Sequence, residues 1–373
     1  MIYLDNAATT FPKPKCVYRH LKHCLRHAGG NPGRSSHRAA LLAAEEIYEA
    51  RETLCTLLSF PFPERIVFTQ NATYALNMAI RSLSPRPRHI IFSDMEHNSV
   101  IRPIAALVRE GCSYSEFSTR TNILEAMEGA TEEKTDLCVL TLCSNVTGEC
   151  FPLSVLKEYR KRHPGVRVIL DGSQWLGHRR LTLDCTLCDI LCAPGHKALF
   201  GLQGSGFAVF VTEGIYTPFA FGGSGSQSES EEMPAFLPER MEAGTLATPA
   251  IAALHAGTKY LLDIGMDTVE KKIGQLTEQI YARLDAIRGI SVLSRDGHGI
   301  VSFNTERAPG SVVASFLDTH GIAVRSGLHC APRIHRVLTE GKGAVRISVS
   351  YLNQIKDIDR LYLELKSFSK TFG

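Results

Sequence analysis

Short apolar runs alternate with amphipathic segments through the middle of the chain, and each run ends in polar or turn-forming residues. Runs of this kind, separated by stretches with helical periodicity, predict a buried, mostly parallel sheet flanked by helices. The last two runs are too close together for a helical crossover, so an antiparallel strand is expected there. The runs cover residues 89–92, 137–142, 166–170, 190–193 and 207–211.

The second half of the chain has a different pattern. Residues 222–232 are rich in Gly, Ser and Glu and predict an exposed loop. Long helical patterns at 248–264 and 268–287 are followed by short strand-like runs and a closing amphipathic helix. This α/β chain is therefore predicted to have a large domain over residues 15–254 and a smaller α+β domain over residues 255–373, on which residues 1–14 pack.

Composition excludes several classes of protein. The chain has 373 residues, of which 44% are hydrophobic and 21% charged, and a net charge of +3, which argues against a dedicated nucleic-acid-binding protein. No apolar stretch is long enough for a membrane span, and the first residues do not resemble a secretory signal. The eleven scattered cysteines predict free thiols in a reducing compartment, the cytoplasm.

Polar side chains follow four of the predicted strands. His97 follows the first, Asn145 the second, Asp171 ends the third and Lys197 follows the fourth. Any one of them alone is more often a turn residue or a helix cap. Because ligands of open α/β sheets bind beyond the carboxyl ends of the strands, neighbouring strands would bring all four side chains to one crevice.

This set of groups is suited to pyridoxal phosphate (PLP). A lysine amine can form a Schiff base with an aldehyde, a carboxylate can keep a pyridine nitrogen protonated, and an imidazole can stack on the ring. A phosphate could bind at the start of the predicted helix 74–82, where backbone N–H groups are free. The alternative for that helix start is a simple N-cap at Asn71.

Several motifs carry a resemblance to a known family. The segments LDGSQ at 170–174 and GHK at 195–197 resemble those of the fold-type I PLP enzymes in the class V aminotransferase-like group, and YLDNAATT, MEHNSV, SNVTG and MEAGT fit the same group. The segment VRSGLHCAP at 324–332 resembles the signature of cysteine desulfurases and selenocysteine lyases with a short catalytic loop. The resemblance implies a large domain with a mixed, mostly parallel sheet and a smaller α+β domain.

The resemblance also implies roles for individual residues. Lys197 would hold the cofactor and move protons, Asp171 would pair with the pyridine nitrogen, Gln174 would contact the phenolate oxygen, and His97, also counted as catalytic, would stack on the ring. The cofactor phosphate would be bound by Ala72, Thr73, His196 and a second subunit's Thr245. Asn145 and a bidentate Arg346 would bind the substrate carboxylate. Cys330 would attack the substrate sulfur.

The implied reaction converts L-cysteine into L-alanine in a homodimer and leaves sulfur as a persulfide on Cys330, for delivery to an acceptor protein. Two positions depart from the family pattern. Pro194 stands where a phosphate-binding serine is common, and Ala247 stands near a common asparagine position. Both changes weaken the expected cofactor contacts without touching the chemical step.

The context of Cys330 differs from that of a buried structural cysteine. It lies in a loop after a strand, and a mobile loop would let the thiol reach the substrate and then an acceptor. Arg325, His329 and Arg333 are close in sequence, and nearby cations favour a thiolate.

Other interpretations remain open. A selenocysteine lyase would use the same site, an aminotransferase or another PLP lyase would not need Cys330, and a sulfur carrier that has lost PLP would not need Lys197. No metal site is expected. Cys185, Cys188 and Cys192 lack the second pair of ligands that zinc or iron–sulfur sites require. Cysteine and histidine residues near the start of the chain could also share one face of a helix, and a solvated basic helix is the favoured interpretation of that segment. These residues are Cys16, His20, His23, Cys24 and His27.

Overall fold

A computed structural model describes residues 1–33, 35–306 and 308–372. The strands are β1 Ile2–Tyr3, β2 Ile66–Thr69, β3 His89–Ser93, β4 Ser113–Phe117, β5 Thr135–Thr141, β6 Arg167–Asp171, β7 Ile190–Pro194, β8 Gly206–Phe210, β9 Ile290–Val292, β10 Ile300–Thr305, β11 Ile322–Ala323, β12 Arg325–Gly327 and β13 Ala344–Ser348. The α-helices are α1 Lys15–His27, α2 Arg38–Leu58, α3 Ala72–Arg81, α4 Asn98–Arg109, α5 Ile123–Ala130, α6 Leu153–Arg162, α7 Thr248–Ile264, α8 Met266–Asp285, α9 Gly310–Thr319, α10 Pro332–Thr339 and α11 Ile355–Phe372.

Within these ranges the largest sheet has seven strands in the order β2-β8-β7-β6-β5-β3-β4. Strands β3 to β7 run parallel, whereas β8 is antiparallel to both of its neighbours, as the short connection from β7 predicted. The sequence pattern missed β4, an edge strand in which half-buried and exposed side chains alternate before the buried Phe117. The α/β fold class with a mixed, mostly parallel sheet is confirmed.

The apolar runs are continuous because helices cover both faces of this sheet. Along β6, Val168 and Leu170 pack into one hydrophobic cluster, while Ile169 between them packs into the cluster under α3 and α4. Successive side chains of a strand point to opposite faces, so a strand that is buried on both faces needs apolar residues at every position.

The C-terminal part of the chain forms a second, smaller layer. Its sheet has the order β12-β13-β10-β9, and β1 pairs in parallel with β11, which attaches the N-terminal segment to this part. Helix α7 runs across the boundary predicted after residue 254, and the two-domain division stays a prediction. The segment 222–232 is a mostly exposed, irregular loop, as expected.

The strand order has one consequence for function. Strands β3, β5, β6 and β7 are consecutive neighbours in the sheet, so the residues after their carboxyl ends meet at one edge. Among the described helices, none combines the length and hydrophobicity that a membrane-spanning helix needs.

Candidate active site

A cavity of about 200 Å³ opens at the carboxyl ends of these four strands. It is walled by the strand ends, the start of α3, the N-terminal segment and the smaller sheet. Nine residues predicted for the site line it, and these are Ala72, Thr73, His97, Asn145, Asp171, Gln174, His196, Lys197 and Arg346. Cys330 lies beside the cavity, next to its lining residue His329, whereas Thr245 lines a different pocket.

Lys197 and Asp171 form the charged centre of the cavity. Desolvation lowers the pKa of the Lys197 amine to about 8, with Asp171 opposing this shift and Arg346 adding to it. The Asp171 carboxylate is buried and accepts a hydrogen bond from the backbone N–H of Ser173 at 2.9 Å. A lysine with this pKa is neutral often enough near neutral pH to act as a nucleophile or a base.

His97 is the N-cap of α4. Its Nδ1 accepts a hydrogen bond from the backbone N–H of Ser99 at 3.0 Å, which fixes the orientation of the ring. Burial lowers the pKa of His97 to about 4, and the charge of Lys197 adds to the shift. The imidazole is therefore neutral at physiological pH, as a ring that stacks on an aromatic cofactor should be.

The start of α3 provides a place for a phosphate. The Asn71 side chain caps the helix by accepting from the backbone N–H of Tyr74 at 2.9 Å. The hydroxyls of Thr73 and Ser99 lie 2.7 Å apart. Sequence reasoning missed Ser99, although its position two residues after His97 was a usable signal. A Cβ at Gly206 would lie 2.7 Å from the Asn71 Cα, so glycine is needed where β8 passes this helix start.

His196 is supported from the N-terminal segment. The Lys13 amine donates to the His196 carbonyl at 2.7 Å, and burial lowers the pKa of Lys13 to about 8. Burial likewise lowers the pKa of His196 to about 4. Lys13 was not predicted because its position follows from the path of the N-terminal chain across the site, which leaves no local pattern.

Arg346, predicted as a bidentate fork for a substrate carboxylate, makes two contacts within the chain. One terminal nitrogen donates to the Asn145 carbonyl at 2.9 Å, and the other pairs with the Asp5 carboxylate at 2.8 Å. Both terminal nitrogens thus already have acceptors within the chain. A substrate carboxylate would have to use Nε and the remaining N–H bonds, and Asp5, which sequence reasoning missed, would compete with it.

The Cys330 loop is a tight turn between β12 and α10. His329 and Cys330 both adopt left-handed backbone conformations, with φ of 50° and 56°. Asn145 Nδ2 donates to the His329 carbonyl at 2.6 Å, and the Asn98 backbone N–H donates to the Cys330 carbonyl at 2.8 Å. Non-glycine residues hold this conformation only where the surroundings impose it. These contacts therefore hold the loop in one position, whereas the sequence predicted a mobile loop.

The predicted cationic environment of Cys330 is only partly present. The Arg325 guanidinium lies 3.9 Å from the Cys330 sulfur, and the thiol is exposed. Arg333 instead pairs with Glu116. Burial lowers the pKa of His329 to about 3, so this imidazole is neutral and contributes no positive charge.

A buried carboxyl group lies behind the cavity. Glu96 accepts hydrogen bonds from the Ser93 hydroxyl at 2.6 Å and from the Thr141 backbone N–H at 2.9 Å. Burial raises its pKa to about 8. Sequence reasoning did not single out Glu96, because a carboxylate next to His97 in a motif gives no indication that it is buried.

Two of the cysteines do not match the expectation of free thiols. Cys143 and Cys150 form a disulfide that closes the loop containing Asn145, because the chain returns antiparallel at these positions. The expectation is wrong for this pair. Of the three clustered cysteines, Cys188 and Cys192 are buried and Cys185 is exposed.

Buried polar atoms without partners belong to three residues that line the cavity. Among the described residues no partner is found for Asn145 Oδ1, Arg346 Nε and His196 Nδ1. Buried polar groups are normally paired, and unpaired ones point to a missing ligand or water. Arg346 Nε, and His196 Nδ1 in one tautomer, can donate a hydrogen bond to a carboxylate or phosphate, whereas Asn145 Oδ1 can only accept one. The residues present therefore suit PLP and an amino acid substrate.

Comparison with known proteins identifies the family. The family model for class V aminotransferases matches residues 2–361. This protein belongs to the class V aminotransferase family. The assignment confirms the predicted family and the predicted cofactor, PLP.

Within the family the similarity is to cysteine desulfurases. The chain is 31% identical to a probable cysteine desulfurase of Methanothermobacter thermautotrophicus, over 96% of this chain and 92% of that protein. It is 29% identical to a cysteine desulfurase of Klebsiella pneumoniae, over 100% of this chain and 94% of that protein. The apo structure of a cysteine desulfurase from Thermococcus onnurineus superimposes with a TM-score of 0.91 at 26% identity, covering 99% of this chain and 95% of that one.

Proposed function

We propose that this class V protein is a PLP-dependent cysteine desulfurase that converts L-cysteine into L-alanine and retains the sulfur on Cys330. The observation that carries the proposal is the exposed Cys330 thiol beside the cavity that contains Lys197 and Asp171. A PLP enzyme that does not transfer sulfur has no use for a thiol held at this position. The similarity to cysteine desulfurases over the whole chain supports the same function.

Different residues of the chain are proposed to bind the cofactor and to transfer protons. Ala72, Thr73 and His196 would hold the cofactor phosphate, Gln174 and His97 would contact its ring, and Asp171 would pair with the ring nitrogen. When bound, PLP supplies an electron sink that acidifies the α-carbon of an amino acid and weakens the bond to its sulfur. Lys197 would hold the cofactor and would move the proton at the substrate α-carbon. Its lowered pKa suits proton transfer near neutral pH.

The substrate carboxylate would be held by Asn145 and Arg346. Asn145 also donates to the His329 carbonyl, so the residue that binds substrate also anchors the cysteine loop. Substrate binding is thereby linked to the position of the thiol that must reach the substrate sulfur.

The sulfur transfer balances without an external oxidant. The bond between the substrate β-carbon and sulfur breaks, a sulfur–sulfur bond to Cys330 forms, and protons complete L-alanine. The products are L-alanine and a persulfide at Cys330, which an acceptor thiol or reductant then removes. Arg325, 3.9 Å from the Cys330 sulfur, is the residue that would stabilise the thiolate.

A cytoplasmic homodimer and an acceptor protein complete the proposal. Thr245 lies in a pocket separate from the Lys197 cavity of its own chain, which supports the expectation that it binds the phosphate of a second subunit. Light scattering should give twice the mass of one chain, and a monomer of full activity would refute the role of Thr245.

The decisive experiment is incubation with L-cysteine, and in parallel with L-selenocysteine, measuring alanine and sulfide or selenide. Mass spectrometry without reductant should find one extra sulfur on the peptide that contains Cys330. Cys330→Ala should keep the cofactor and lose alanine formation from L-cysteine, whereas Cys185→Ala, the change of another exposed thiol, should be fully active. Full turnover in Cys330→Ala would favour an aminotransferase or another lyase, and activity confined to selenocysteine would favour a selenocysteine lyase.

A further inference from the structure

Two histidines and a glutamate from three helices meet away from the PLP cavity. Both oxygens of the Glu46 carboxylate, on α2, lie 2.9 Å from His20 Nε2, on α1. One of these oxygens lies 2.7 Å from His255 Nδ1, on α7. Glu46 and His255 are buried, whereas the His20 side chain is 31% exposed and so opens the group to solvent.

The donor atoms suit a transition-metal ion. One atom from each side chain can be chosen so that all three lie within 4.8 Å of one another. Two imidazole nitrogens and one carboxylate oxygen form a common zinc ligand set, which leaves a fourth position open. Ligands at about 2.0–2.1 Å from a tetrahedral ion lie roughly 3.3 Å apart, so the two hydrogen-bonded contacts would lengthen by about half an ångström. The two imidazole nitrogens, which lie within 4.8 Å of each other, would have to reach the same spacing.

The chemistry of the group can accommodate a cation. The Glu46 carboxylate would supply the negative charge that balances the ion, and metal binding requires both imidazoles in their neutral form. Glu49 and Lys259, which carry opposite charges, also act on His20.

We propose that His20, Glu46 and His255 form a binding site for a divalent transition-metal ion of the zinc type, with water in the fourth position. The ion would join α1, α2 and α7, in a place separate from the residues that line the PLP cavity. The sequence pattern favoured a solvated basic helix because only His20 of this group lies in that helix. The other two ligands come from helices distant in the chain.

Metal content tests the site. The holoenzyme is treated with iodoacetamide to block exposed thiols, stripped with a chelator and dialysed against ZnCl₂ or, in parallel, MgCl₂. Inductively coupled plasma mass spectrometry should find about one zinc per chain and no retained magnesium. His255→Ala and Glu46→Gln should lose at least 90% of the zinc. Circular dichroism and the visible absorbance of PLP check that each variant is folded.

His23 and His27 provide the matched control. They lie one turn apart on the same helix, with ring centroids 4.6 Å apart, and are exposed. The double change His23→Ala and His27→Ala should leave the zinc content unchanged. Loss of zinc in this control, or full zinc content in both His255→Ala and Glu46→Gln, would overturn the proposal.

X-ray absorption of the wild-type protein with zinc gives a test that does not depend on the folding of any variant. A shell of nitrogen and oxygen scatterers near about 2.0 Å is expected, with imidazole features from two histidines. A sulfur shell near about 2.3 Å would assign the metal to cysteines and overturn the proposal. Complete removal of the zinc by a weak chelator would also overturn the proposal. The three side chains would then form a buried ion-pair network without a metal.

Discussion

The cavity has two walls that are built in different ways. One wall consists of strand ends and presents Asp171 and Lys197 from neighbouring parallel strands, whose spacing is set by backbone hydrogen bonds. The other wall consists of the turn with Cys330, which is held by hydrogen bonds from Asn98 and Asn145 and has strained backbone conformations. The first wall is rigid because the whole sheet supports it. The second depends on a few local contacts.

This difference matches the two tasks proposed for the walls. Cofactor chemistry needs an amine and a carboxylate at fixed positions, which buried strand ends provide. Sulfur transfer needs a thiol that meets the substrate and later an acceptor, which an exposed turn provides. Changes in the strand-end wall should therefore abolish all chemistry with the amino acid, whereas changes at the turn should affect sulfur transfer alone.

The largest effect is expected at Lys197. Lys197→Ala should remove the visible absorbance of the lysine-linked cofactor and all turnover, because Lys197 is the one lysine among the described residues that line the cavity. Absorbance spectra after removal of free PLP measure this. The control is Lys13→Ala, which changes the other lysine whose burial lowers its pKa to about 8 and whose amine donates to the His196 carbonyl. If Lys13→Ala loses the absorbance and Lys197→Ala keeps it, the assignment is wrong.

A smaller effect is expected at Asp171. Asp171→Asn keeps the shape and the hydrogen bond from Ser173 but removes the charge that is proposed to pair with the ring nitrogen. Turnover should fall about 10³-fold, equivalent to about 4 kcal/mol, while PLP remains bound. Steady-state rates together with PLP content measure this. Near-normal turnover would leave Asp171 as a strand-end cap.

Asn145 connects the two walls, and its replacement should affect both. Asn145→Ala removes the 2.6 Å hydrogen bond to the His329 carbonyl and the proposed contact to the substrate carboxylate. KM for L-cysteine should rise about tenfold, which corresponds to about 1.4 kcal/mol, and alkylation of Cys330 should become faster. Asn122→Ala, at an exposed helix cap, serves as the control. Unchanged alkylation would show that Asn145 does not hold the turn.

The smallest effect on turnover is expected behind the strand-end wall, at Glu96, where a substitution acts on stability. Its folded-state pKa is about 8 and therefore above that of an unfolded glutamate. The folded state then binds the proton more tightly, so this stability is present below about pH 4.5 and is lost as the pH rises towards 8. Glu96→Gln should remove this pH dependence, and at pH 8 its free energy of unfolding should exceed that of wild type by on the order of 4 kcal/mol, with a higher melting temperature. If melting curves show the same difference in stability between the two proteins at pH 5 and at pH 8, this prediction is wrong.

The strand-end wall could be predicted from local sequence because each strand and its polar end lie together in the chain. Apolar runs bounded by polar residues identified β3, β5, β6 and β7, and the rule for parallel sheets brings their ends together. The Cys330 turn was recognised from the segment 324–332. Its pinned conformation was not predictable, because the donors that hold it come from Asn98 and Asn145.

The sequence by itself thus determined the fold class, the family and the set of residues at the strand ends, since each rests on patterns within short segments. Only the tertiary structure decided the contacts between distant segments. Asp5 pairs with Arg346, and Lys13 supports His196. Such pairs depend on where the chain returns after many residues, and neither partner carries a local pattern that names the other.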